Sequence, residues 1–147
     1  MMHAAPRKNE RTNEQTPRLL RTTQAIKHLA KDRDSKIAVV RAGAVPKLVG
    51  VLASGADGAR RHAAAALFHV ANNVDLKAGI VRAGAIAPLV RLLESSTVVS
   101  DATTEQAIDA LWAIAHGNDD HKLRVAQAGA IPRLVAIWAT SKARGRR

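Results

Sequence analysis

The sequence predicts an all-α fold, a superhelical stack of short helices, and three observations carry that expectation. The first is recurrence: Arg41-Ala42-Gly43-Ala44-Val45-Pro46-Lys47-Leu48-Val49 returns as Arg82-Ala83-Gly84-Ala85-Ile86-Ala87-Pro88-Leu89-Val90 and as Gln127-Ala128-Gly129-Ala130-Ile131-Pro132-Arg133-Leu134-Val135. The second is the period. The glycines stand 41 and 45 residues apart, a spacing that belongs to helical repeats rather than to a single globular core. The third is composition. Aromatics make up 2% of a chain that is 47% hydrophobic; its many alanines suit closely packed helices and not the aromatic and β-branched strands of a sandwich or barrel.

Taken in order, residues 1–17 are polar, contain Pro6 and end at Pro17, and are read as a flexible basic leader. A helix is expected from Arg18, with Leu19, Ala25, Ile26, Leu29 and Ala30 as its apolar positions. The first full unit follows over 34–74. A short helix ends at Gly43, which can take the left-handed conformation that costs other residues more. Pro46 then fits the first turn of a second helix, where its missing N–H is not needed. That helix spans 45–53 and a turn covers 54–58. A third helix over 59–72 buries Ala63, Ala66, Leu67 and Val70 at three- and four-residue spacing.

The second unit, 75–118, repeats the pattern through the corner at Gly84 and Pro88. The proline stands one residue later than its counterparts. A longer loop over 94–104 and a third helix follow, with Thr103 or Thr104 as N-cap and Ile108, Leu111 and Ile114 as the buried stripe. The last unit, 119–140, has a corner at Gly129 and Pro132, and its second helix ends near Ala139; 141–147 is a basic tail. Asp119-Asp120 reads as a helix start, not a pair of catalytic acids. Overlaying Ala25-Ile26-Lys27-His28-Leu29-Ala30, Ala66-Leu67-Phe68-His69-Val70-Ala71 and Ala110-Leu111-Trp112-Ala113-Ile114-Ala115 makes residues 18–33 the last helix of an otherwise missing repeat.

The corner Ala-Gly-Ala-Ile-Pro-x-Leu-Val, followed by Leu-Leu, and the Ala-Leu-x-x-Ile-Ala of the third helix resemble armadillo repeats over about residues 18–140. The resemblance implies a right-handed superhelical solenoid of about two and a half repeats. Its third helices would line a concave groove for extended peptides or partner proteins. The family's peptide readers carry an Asn on each third helix, four residues after a Trp. Here the Asn positions are His28, His69 and Ala113 and the Trp positions are Gln24, Ala65 and Asp109, so that ladder is absent. The same register places Arg61, Ala65, His69 and Asn73 on the groove face of one unit and Glu105, Asp109 and Ala113 on that of the next, giving a basic end and an acidic end. The resemblance leaves two further readings: an importin-alpha-like nuclear transport adaptor, and the substrate-recognition part of a larger ubiquitin ligase.

The remaining features set bounds. The net charge of +11 sits in the flanks: residues 1–33 carry eight Lys/Arg against three Asp/Glu and residues 142–147 carry four, leaving eleven against nine between them. With no Tyr and only Phe68, Trp112 and Trp138 as aromatics, a base-stacking platform for nucleic acid is not expected. Trp112 is expected to pack against a neighbouring repeat. There is no Cys, so no disulfide framework, which fits the cytoplasm or nucleus. His28 and His69 fall at equivalent places on stacked helices about 8–10 Å apart, too far for shared metal ligation. No cofactor motif, catalytic triad spacing or phosphate-cradling glycine loop is present, and no apolar run reaches the roughly 20 residues of a membrane span. Finally, Leu134, Val135, Ile137 and Trp138 are more apolar than the visible chain can cover. Either the sequence is a piece of a longer array or two copies cover each other's ends, and the isolated chain is expected to self-associate through this C-terminal end.

Overall fold

The computed structural model of the chain describes residues 8–94 and 100–144, with side chains over 17–94 and 100–141. Among the described residues the helices are α1 (Lys8–Leu29), α2 (Arg33–Arg41), α3 (Ala44–Ser54), α4 (Asp57–Ala71), α5 (Val74–Arg82), α6 (Ile86–Arg91), α7 (Asp101–Ala115), α8 (Asp119–Gln127) and α9 (Ala130–Arg144). They form a right-handed superhelical solenoid of about two and a half three-helix repeats. α2–α3–α4 and α5–α6–α7 are complete, and α8–α9 is a partial third.

Each corner turns on a glycine. Gly43, Gly84 and Gly129 have φ of 84°, 81° and 89°, in the region open to glycine at little cost. The Gly43 N–H closes the end of α2 onto the Val40 carbonyl at 3.0 Å, and the chain leaves along α3 at 81° to α2. The prolines follow from this. Pro46, Pro88 and Pro132 are each the third residue of their helix, and α6 starts one residue later than α3 and α9, so the displaced Pro88 keeps its place in the first turn. α6 is short because Leu92, Leu93 and Glu94 close onto Leu89, Val90 and Arg91, three residues back, tightening the last turn.

A second periodic device had no counterpart in the sequence reading. Asp32, Asn73 and Asn118 cap α2, α5 and α8, accepting the N–H of Ser35, Asp75 and His121 respectively. Each lies 11 residues before its corner glycine, so an Asx residue at that offset was the legible signal. The hydrogen bonds from Ser35 hold the Asp32 carboxyl below its ordinary range.

Three boundaries differ from expectation. α1 begins at Lys8, not Arg18, with Pro17 inside it. Lys8, Glu10, Arg11, Glu14 and Gln15 are good helix formers, and they offset the proline's missing N–H and the crowding of its ring against the preceding turn. The leader's residues 1–7 lie outside the described residues. α9 runs past Ala139 to Arg144, because nothing before Gly145 breaks it and Thr140 and Ser141 donate back to the Ala136 and Ile137 carbonyls at 2.9 Å. The cap of α7 is Ser100, not Thr103 or Thr104. Thr103 is instead fully buried, with its hydroxyl 2.8 Å from Asp57 Oδ1.

The core follows the repeat. α1, α4 and α7 pack side by side as the inner layer, and the buried run Ala63–Ala66 lets them approach closely. Leu67, Val70, Leu111 and Ile114 are buried from the inner helices, as are Leu48, Leu52 and Leu89 from the second helices. Burying one such leucine is worth roughly 1.5–3 kcal/mol. Across the repeat boundary, Asp57 at the start of α4 accepts from the Ser100 N–H at 3.0 Å and from Thr103. That knot aligns the starts of α4 and α7. α9 is fixed to α6 by Arg133, which reaches Glu94 Oε1 at 2.6 Å and donates to the Val90 carbonyl at 3.1 Å.

Candidate peptide-binding groove

The expected groove residues stand on or beside the inner helices α1, α4 and α7. Gln24 and His28 on α1 and Glu105 and Asp109 on α7 are exposed, while Arg61 and His69 on α4 are half-buried. Three of the expected groove residues do not serve there. Ala65 and Ala113 are buried, because side chains without reach beyond Cβ are overtopped by the neighbouring helices. Asn73 is not on a third helix at all; its side chain caps α5 through the Asp75 N–H at 2.9 Å.

Charge on this surface is divided. Around the α1–α4 seam, Lys27, Lys31, Lys36, Arg61, His62 and His69 lie close enough to perturb one another. Burial, followed by Lys31, Lys36 and Lys27, lowers the His69 pKa from its ordinary value. Burial, then Lys27 and Arg61, lowers that of His62. Lys27 itself is lowered by burial and by the charges of Lys31 and Arg61. Both imidazoles are thus held in the neutral form near pH 7, able to donate and accept one hydrogen bond each. Glu105 and Asp109 put the opposite charge on α7 and make no ion pair among the described residues. Lys27 was missed in the sequence, although it stands in register with Phe68 and Trp112, 41 and 85 residues on.

Trp112 does not pack against a neighbouring repeat. It is 58% exposed and stacks on His116, one turn further along α7, with ring centroids 4.7 Å apart and 25° between planes. Beside this pair a cleft of about 370 Å³ opens between the ends of α4 and α7 and the starts of α5 and α8. No group of three or more His, Cys, Asp or Glu among the described residues is placed to hold a metal ion. Among the same residues no single helix is long and apolar enough to cross a membrane.

Residues 32–71, the span from the Asp32 cap to the end of α4, match the family model of the armadillo/beta-catenin-like repeat. A comparison with curated proteins finds no match. Among solved structures, an engineered protein is similar at 30% identity and a TM-score of 0.73, over 80% of this chain and 48% of the other. A designed armadillo repeat protein in complex with the peptide (KR)4 is 28% identical, with a TM-score of 0.73, over 80% and 49%. Computationally designed armadillo repeat proteins for modular peptide recognition match at 29% and 0.74, over 80% and 49%. The chain therefore spans about half the length of the structures it resembles. The recurring left-handed corners, the matched repeat and these structural relatives agree: residues 32–71 match an armadillo repeat, and the fold is that of an armadillo-type solenoid.

Proposed function

We propose that the chain is a non-catalytic interaction scaffold, working in the cytoplasm or nucleus, that holds an extended peptide or a segment of a partner protein across α1, α4 and α7. The observation that carries this reading is the division of charge on the inner helices, Lys27, Lys31 and Arg61 toward one end and Glu105 and Asp109 toward the other. Designed relatives of this architecture bind peptides, one of them the basic (KR)4. Here only the α7 end has charge complementary to such a peptide. The preferred ligand has an acidic block for the α1–α4 seam and a basic block for α7, so that charge order fixes its direction. The test is fluorescence anisotropy with an eight-residue peptide of four acidic then four basic residues, against a scramble of the same composition. The block peptide should bind about tenfold more tightly than the scramble, and Glu105→Lys with Asp109→Lys should remove that preference. Equal binding of both peptides overturns the reading.

We also propose that α9 associates with the same helix of a second copy. Ile131, Val135 and Trp138 form an outward stripe at spacings of four and three, so an antiparallel pair centred on Val135 sets each end of the stripe against the opposite end of its mate.

A further inference from the structure

We infer that the cleft at the end of α7 is a carboxylate-binding site, built to take an anionic group joined to an apolar or aromatic body. Its chemistry comes from Lys77. This α5 side chain is only 7% exposed, yet it lines the cleft, and its ammonium lies 2.6 Å from the His116 carbonyl at the end of α7. Closing the last turn of α7 needs one N–H, and an ammonium has three. No carboxylate among the described residues pairs with it. A cation packed into protein with a single neutral acceptor is poorly compensated for lost water, and a carboxylate entering the cleft supplies what is missing. The wall beside it suits the rest of such a ligand. The Trp112–His116 stack offers a flat, exposed aromatic face, and Val74, 80% exposed, and Ala113 complete the apolar lining.

The shared chemistry is a carboxylate, from either a peptide C-terminus or an Asp or Glu side chain next to an apolar residue. The site deepens the scaffold reading by giving a peptide an anchor at one end. It is testable apart from that reading because short probes do not span the inner helices. Three probes suffice: the N-acetylated tripeptide Ala-Ala-Phe with a free C-terminus, the same peptide amidated, and amidated N-acetyl-Ala-Glu-Phe. The readout is the indole N–H resonance of Trp112, with that of Trp138 as internal control.

The free-carboxylate tripeptide should shift the Trp112 signal saturably and leave Trp138 unmoved, and its amide should bind at least about tenfold more weakly, the share of one charge-assisted contact. Lys77→Gln keeps an N–H for His116 without the charge and should lose that discrimination, whereas Lys77→Arg should retain it. Trp112→Ala, followed through the backbone amide resonance of Gly117 because its own indole is gone, should weaken every probe while the chain stays folded. If amidated Ala-Glu-Phe binds as well as the free tripeptide, the site reads side-chain carboxylates; if it does not, the site reads chain ends; both outcomes support a carboxylate site. Equal binding of the free acid and the Ala-Ala-Phe amide, or undiminished discrimination in Lys77→Gln, overturns it. Failure of the block peptide to bind across α1, α4 and α7 would leave this result standing.

Discussion

The two ends of the stack are finished differently. At the first end, α1 presents Arg18, Thr22 and Ala25 outward, all exposed. The α4 residues in the same register, Ala59, Ala63 and Ala66, are buried against α3. α1 has the packing surface of a third helix on one side and, on the other, Arg18 and Thr22 beside Ala25 and the half-exposed Leu29. At the far end, Ile131, Val135 and Trp138 are 57%, 54% and 73% exposed. Their counterparts at the third position, Leu52 and Leu93, are 2% exposed. α9 retains the interior pattern of a second helix with no third helix over it. Arg18 and Thr22, standing where α4 has buried alanines, separate the first end from α9, whose outward stripe is apolar throughout.

The contrast can be broken first at the middle of the stack, where the largest effect is expected. Leu67 is fully buried between layers, and Leu67→Ala should cost roughly 2–5 kcal/mol in chemical denaturation. Val135→Ala, a loss of two carbons on the open face against three at Leu67, should cost under about 0.5 kcal/mol in dilute monomer. Similar costs at the two sites would mean that α9 is covered in solution.

The knot between repeats should come next. Burial opposes the charge of Asp57, but hydrogen bonds from Ser100 and Thr103 and the charge of Arg61 outweigh it, holding its carboxyl below the usual range. A depressed folded-state pKa contributes stability that is complete above the unfolded value and lost as pH falls through the folded one. Asp57→Ala, which also leaves the buried Thr103 hydroxyl short of its best acceptor, should cost about 1–3 kcal/mol. The deficit against wild type should narrow on acidification below about pH 4, where the carboxyl of the unfolded chain takes up its proton before that of the folded one. Melting curves across pH would show whether it does.

The corners should give a smaller and cleaner effect. A Cβ added at Gly84 meets nothing within 4 Å, but its φ is 81°, so Gly84→Val should cost more than about 1 kcal/mol through backbone strain alone. Gly50, inside α3 and also with nothing within 4 Å, provides the control. Gly50→Ala should stabilise by up to about 1 kcal/mol. A neutral Gly84→Val would remove conformational strain as the reason glycine recurs at each corner.

Much of this was legible because the repeat states its rules three times. Gly43, Gly84 and Gly129 identified themselves by spacing, and the pattern of Leu67, Leu111 and Ile114 fixed which face of each inner helix is core. What was illegible depends on contacts between helices. Lys27 and Lys77 carry no signal of their own in the sequence; stacking sets one beside Lys31 and Arg61 and the other against the His116 carbonyl. Asn73 was misplaced because the third-helix register was carried past Ala71, where α4 has already ended and the residue serves as a cap. Ala65 and Ala113 hold groove positions in register only, since burial there is decided by the size of their neighbours. Pro17 reads as a barrier, yet α1 runs through it.

The smallest effect on folding is expected at α9, where the largest effect on assembly should appear. Val135 and Trp138 are 54% and 73% exposed and touch little that their loss could disturb, so Val135→Lys with Trp138→Glu should change the unfolding free energy of the dilute chain by less than about 0.5 kcal/mol. The same change puts charges of both signs on the face that a second copy would cover, and burying either unpaired would be costly. Sedimentation velocity over a hundredfold concentration range should therefore show the wild type shifting toward dimer while the double variant stays monomeric. The melting temperature of the wild type alone should rise with concentration, because association stabilises only the folded state. The first end supplies the control, since Thr22→Glu on the outer surface of α1 should alter neither measurement. A wild type that remains monomeric throughout and melts independently of concentration would show that the apolar stripe of α9 does not recruit a second copy, and the two ends would then differ in sequence without differing in behaviour.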